Sequence, residues 1–191
     1  DPVTGRLVAS DTLFYCYSVG LGVTAAVVHR LAEQGVFGYG NRIVDLWPEF
    51  GAHRKGAATI RHVLTHAVGV PGLPEHVTAE DLGEWQWMCA LIADAEPWWE
   101  PGTKIGFHAY TSGYILGEVV RRATGRPISQ VLREEVTGPL GVASELYFGV
   151  PESELDRVAR QEDAAAGLAE SLETWPDDSM MFRTTPRAVI P

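Results

Sequence analysis

A mainly α domain with little sheet is what the 191-residue sequence predicts. In several windows apolar residues recur at three- and four-residue spacing, the pattern of an amphipathic helix. Runs that alternate with period two are scarce, so about five to seven helices and few strands are expected. Glycine or proline closes the helical windows, as at Gly35, Gly125 and Gly138-Pro139. The length fits one domain over residues 1–191 with a sizeable core.

Asp1-Pro2-Val3-Thr4-Gly5-Arg6 opens the chain on turn formers. Leu13-Phe14-Tyr15-Cys16-Tyr17 is too short and aromatic for a helix of its own and reads as an extended lead-in. Helical spacing then runs over 18–34 through Val19, Val23, Ala26, Val27 and Leu31. Ser18 starts this helix, where free N–H groups favour developing negative charge; a plain N-cap is its other role. Residues 36–58 are loop-like around Trp47-Pro48-Glu49-Phe50, and Thr59 precedes a short helix over 60–66.

Thr78-Ala79-Glu80-Asp81 is a capping segment for a helix to about residue 95. Glu96-Pro97-Trp98-Trp99-Glu100-Pro101-Gly102-Thr103 reads as a rigid, packed loop. Residues 112–124 are the clearest amphipathic helix, with Glu118 and Arg122 at the favourable i,i+4 spacing. Pro127 starts a helix over 128–136. A charged helical turn over 152–160 leads into an Ala/Glu stretch to about residue 173. Residues 174–191, with three prolines and no periodicity, are expected to be an irregular tail.

The net charge of −10 argues against nucleic acid or an anionic membrane as partner. No apolar run reaches the roughly 20 residues of a membrane span, no leader is visible, and a cytoplasmic location is expected. Cys16 and Cys89 read as two free thiols rather than a bridge. His62 and His66 share a helix face, but no glutamate follows His62 as in a zinc-protease motif, so neither metal nor cofactor is expected.

Several segments, in order, resemble the β-lactamase-related serine hydrolases: class C β-lactamases, DD-peptidases and their esterase relatives. They are Ser18-Val19-Gly20-Leu21, Leu31-Ala32-Glu33-Gln34-Gly35, Thr59-Ile60-Arg61-His62-Val63-Leu64-Thr65-His66, Trp98-Trp99-Glu100-Pro101-Gly102-Thr103, Phe107-His108-Ala109-Tyr110-Thr111 and Gly138-Pro139-Leu140-Gly141. The esterase branch fits best. The resemblance implies the helical part of a β-lactamase/transpeptidase-like fold, with most of the usual sheet missing. It also implies an uncovered apolar face, and hence a homo-oligomer or a second chain to cover it.

In that family a serine nucleophile is followed one turn later by a lysine base, and a tyrosine from a facing loop assists. A hydroxyl needs such a base to accept its proton as it attacks. Here Leu21 stands at the lysine position and Phe107 at the tyrosine position of the Tyr-His-Ala-x-Thr motif. Ser18, His108 and Tyr110 remain as candidate catalytic groups. Tyr17, Leu21, Phe107, Trp98 and Trp99 are candidate walls of a substrate site.

Three functions follow. The first is a family member without acyl-enzyme chemistry, which reuses its pocket to bind or transform a hydrophobic small molecule by cyclisation, isomerisation or elimination. The second is an esterase or acyltransferase with a rerouted base, Tyr110 or His108. The third is a non-catalytic binding or scaffold protein.

Overall fold

The computed structural model describes residues 5–161 and 174–190. It is helical, and its only β-pairings among the described residues are two isolated bridges, Leu13 with Val158 and Arg42 with Thr59. The expected Ala/Glu stretch after 160 falls mostly outside the described residues. Six α-helices are present among the described residues: α1 Val19–Glu33, α2 Ile60–Leu64, α3 Trp85–Ala93, α4 Thr111–Thr124, α5 Ile128–Leu132 and α6 Met180–Thr184.

α1 and α4 form the centre. Val27, Val28 and Leu31 of α1 are buried with Ile115, Val119 and Val120 of α4 in one apolar cluster. Met88 and Ile92 of α3, Val131 and Leu132 of α5, and the Trp47–Phe50 ring pair complete it. Each such aliphatic side chain contributes about 1.5–3 kcal/mol when removed from water. α4 ends where its sequence says it should: Gly125 takes a left-handed conformation (φ 73°) and returns its N–H to the Arg121 carbonyl.

Some expected boundaries move for local reasons. The helix expected over 78–95 is broken. Thr78 donates through its N–H and hydroxyl to Asp81, closing a single turn, and Glu84 is non-helical (ψ 75°), so α3 starts only at Trp85. The segment expected as loop over 36–58 contains tight turns at Ile43–Asp45 and Pro48–Ala57. Within the second, Lys55 is fully buried, and its ammonium donates to the carbonyls of Ala52 and Ala95 (2.9 and 2.5 Å). The helix expected over 128–136 opens after Leu132 into a wider turn, Arg133–Thr137.

The irregular tail expected over 174–191 is corrected. Ser179 accepts the Phe182 N–H and starts α6, Phe182 is buried, and the Leu73 N–H donates to the Thr184 carbonyl. Its one buried side chain, Phe182, gives no apolar period to read, which is why the sequence hid the element.

No helix among the described residues is long and apolar enough to cross a membrane. The face beside the lead-in carries exposed apolar side chains, with Leu7 85% exposed and Val8 and Phe14 beside it around a shallow groove.

Candidate active site

The lead-in runs extended beside residues 157–161. The Leu13 N–H donates to the Arg157 carbonyl, and the Leu13 carbonyl accepts from Ala159. The backbone then turns sharply at Tyr17, whose φ of 46° is left-handed. A bulky residue there stores about 1–3 kcal/mol of strain that its surroundings must offset. Two contacts hold it. The Tyr17 hydroxyl donates to Gln161 Oε1 at 3.0 Å, and its ring packs edge-on to Tyr15 with centroids 4.6 Å apart. That turn delivers Ser18 to the N-terminus of α1.

Ser18 is exposed, and its hydroxyl does not cap α1. Its backbone carbonyl accepts the Leu21 N–H, while its hydroxyl makes no hydrogen bond among the described residues. It lies on the rim of an open cavity of about 480 Å³, shared with Tyr17, Leu21 and Tyr110. Four of the eight sequence candidates therefore come together. Trp85 from α3, Tyr114 from α4, Tyr15 and Phe148 add further walls. Tyr114 could have been found from its i,i+4 relation to Tyr110 along α4. Tyr15, three residues before Ser18, could have been found from that neighbourhood, and Phe148 reaches the site only through the tertiary fold.

None of the residues lining the cavity is an acid, a lysine, an arginine or a histidine. Its titratable groups are phenols, and burial raises two of them. Tyr110 is raised by desolvation and by Tyr15, while Tyr114 is pushed up to about 12 and donates to the Leu82 carbonyl at 2.7 Å. Both are neutral near pH 7. Tyr110 can donate to an oxygen of a bound molecule, the Tyr114 proton is committed to Leu82, and neither phenol starts as a base.

The other four candidates lie elsewhere. His108 is wholly buried. Its Nε2 accepts the Val70 N–H at 3.1 Å, and its Nδ1 lies 2.5 Å from the Gly106 carbonyl and donates to it. Both ring nitrogens are committed, which requires the neutral ring. Desolvation, with His66 nearby, lowers its pKa to about 4 despite the Gly106 bond. His108 is thus a strut between two loops and does not face Ser18.

Phe107 is exposed and packs on His66 with centroids 5.0 Å apart. Trp99 donates to the Ala67 carbonyl and meets His108 edge-on. Trp98 lies under the Arg183 guanidinium, 4.7 Å away. The His62 and His66 Nδ1 atoms accept the N–H groups of Thr59 and His108. No group of three or more potential metal ligands occurs among the described residues.

Behind the cavity, the buried carboxylate of Glu118 accepts from the Trp85 indole N–H, from both ends of Arg121, and from Arg122. Those donors outweigh burial and hold its pKa down at about 2. Cys89 sits beside this group, its thiol pushed up to about 12 by burial and the Glu118 charge. Cys16 is exposed, and both cysteines are free.

A helical core, a serine at the start of its central helix and a tyrosine at the start of the facing helix define a serine-hydrolase-like helical domain. The Beta-lactamase family model matches residues 1–188, and the chain belongs to that family. Esterase/beta-lactamase LipL of Mycobacterium tuberculosis (strain ATCC 25618 / H37Rv) is 34% identical over 143 residues, covering 75% of this chain and 33% of LipL. Penicillin-binding protein 4 of Amycolatopsis lactamdurans is 29% identical over 195 residues, covering 98% of this chain and 48% of that protein.

Among solved structures, a family VIII carboxylesterase superposes with a TM-score of 0.79 at 41% identity, over 83% of this chain and 44% of the esterase. EstA from Arthrobacter nitroguajacolicus Rue61a superposes with a TM-score of 0.83 at 28% identity, over 97% of this chain and 49% of EstA. The chain thus spans between about a third and a half of the length of these relatives. The architecture is the helical part of a β-lactamase-like fold.

Proposed function

We propose that the cavity beside Ser18 binds a hydrophobic small molecule and that this chain does not form an acyl-enzyme at Ser18. One observation carries the reading: the cavity holds a serine hydroxyl but no group able to take its proton at neutral pH. Leu21, one turn after Ser18, is an alkyl side chain, and the phenols of Tyr110 and Tyr114 are raised rather than lowered. Without a base, a serine hydroxyl is a weak nucleophile. Bound substrate would instead be oriented by apolar walls and polarised by the hydroxyls of Ser18 and Tyr110, a setting suited to a cyclisation or rearrangement in which the substrate itself carries the proton.

The test is a fluorophosphonate probe read by intact mass. No stoichiometric adduct is expected. An adduct that disappears in Ser18→Ala overturns the reading. The second reading, an esterase or acyltransferase acting through Ser18 with Tyr110 as base, is favoured by the relatives named as esterases at 34% and 41% identity. The same probe decides for it.

The reading includes a protein partner, a second copy or another chain, over the apolar strip of Leu7, Val8 and Phe14, because solvated strips of this kind mark interfaces.

A further inference from the structure

We propose that the Ser18 cavity selects a bulky organic cation, of the quaternary ammonium class, through its aromatic walls. The inference rests on the reading of this cavity as a small-molecule site and names the ligand class.

Six of the cavity's lining residues are aromatic: Tyr15, Tyr17, Trp85, Tyr110, Tyr114 and Phe148. They come from the lead-in, α3, the start of α4 and the segment after α5, so they surround the space rather than form one stack. Two pairs are already arranged. Tyr15 meets Tyr17 edge-on, and Trp85 lies tilted on Tyr114 with centroids 5.3 Å apart. Tyr15 and Tyr17 are 63% and 61% exposed, so core packing does not account for them.

Their polar ends are largely spent elsewhere. Tyr17 donates to Gln161, Tyr114 to the Leu82 carbonyl and Trp85 to Glu118. Beside the hydroxyls of Ser18 and Tyr110, ring surface is therefore what these walls offer, and a ring face attracts cations through its quadrupole.

The surrounding charge agrees. No lining residue is cationic, so nothing competes for the rings or repels a cation. Arg121 and Arg122, behind the Trp85 wall, are both paired to Glu118. The net charge of −10 raises the local concentration of cations. A compact ammonium such as that of lysine is strongly hydrated and would stay in water. An alkylated ammonium sheds water more readily and buries apolar surface in the same step. The volume of about 480 Å³ suits a small organic molecule.

Calorimetric titration of the intact chain with choline and with its neutral isostere 3,3-dimethylbutan-1-ol tests this directly. Choline should bind about tenfold more tightly than the alcohol, within the range of desolvated cation–π contacts. The preference should persist in about 0.5 M NaCl, where general attraction to an acidic protein is screened. Tyr15→Leu and Tyr110→Leu should each reduce it severalfold, with thermal melts of both variants checking that they remain folded at the titration temperature.

Equal or tighter binding of the alcohol overturns the proposal. So does an equal response to potassium chloride, a preference lost in salt or unchanged in both leucine variants, or no binding of choline below about 10 mM. The fluorophosphonate experiment is independent. A chain that labels at Ser18 yet prefers choline loses the non-acylating reading and keeps this one, and the converse result separates them the other way.

Discussion

A hydroxyl attacks a carbonyl only as fast as its proton finds somewhere to go. At Ser18 the nearest side chain one helical turn on is Leu21, and both line the same cavity. Leu21→Lys should place an amine there, and its apolar surroundings would lower the amine's pKa toward that of a working base. Hydrolysis of a p-nitrophenyl ester at least about tenfold above the parent is expected, and it should be lost when Ser18→Ala is added. An unchanged rate would mean that geometry, not the base, is what the chain lacks.

His108 has the opposite role, since its neutral ring is part of the scaffold. Its folded pKa of about 4 lies below the unfolded value near 6.5, so the unfolded chain binds the extra proton first. Stability should be flat above about pH 6.5 and fall as the pH drops toward 4, by up to ~3 kcal/mol. His66, also lowered by burial, adds to the loss in the same direction. Urea midpoints that do not change between pH 7 and pH 5 would contradict this.

Between α3 and α4, one carboxylate does much of the joining. Glu118 holds Trp85 of α3 and two arginines of its own helix, and Gly117 lets the Trp85 ring lie against α4, since a Cβ there would meet Trp85 at 2.5 Å. Glu118→Gln should lower stability by about 2 kcal/mol, because four N–H donors on three residues lose a charged acceptor. The figure is reduced from that of a wholly buried pair because Arg121 is 47% exposed. A thermal melt within a degree of the parent would refute it. The slack should also loosen the Trp85 wall of the cavity.

Helices with a long apolar period were legible in the sequence. α4 came within one residue of its expected start, and the Glu118–Arg122 pair forms at 2.7 Å. α6 was not legible, because its evident anchors, Phe182 in the core and Arg183 on Trp98, are long-range contacts. The site divides along the same line. Tyr17, Ser18 and Leu21 are neighbours in sequence and stay neighbours in space. Phe107 and His108 belong to the loop that leads into α4, yet the bond from the Val70 N–H to the His108 ring and that from the His108 N–H to His66 hold them outside the cavity.

Taken whole, the molecule carries its acidic charge together with a solvated apolar strip. With a partner over Leu7, Val8 and Phe14, sedimentation velocity should show a weight-average mass that rises with concentration, and Leu7→Ser with Val8→Ser should reduce the rise. A constant monomer mass of 20.8 kDa at every concentration would remove the self-association branch of that proposal.

The two thiols differ at this scale as well. Cys89 is sealed in and protonated, while Cys16 stands in solvent two positions before Ser18. The chain thus has a single exposed thiol, next in sequence to Tyr15 and Tyr17 of the cavity wall. A maleimide dye should attach there once, without mutagenesis, and its emission should change whenever a ligand enters or leaves.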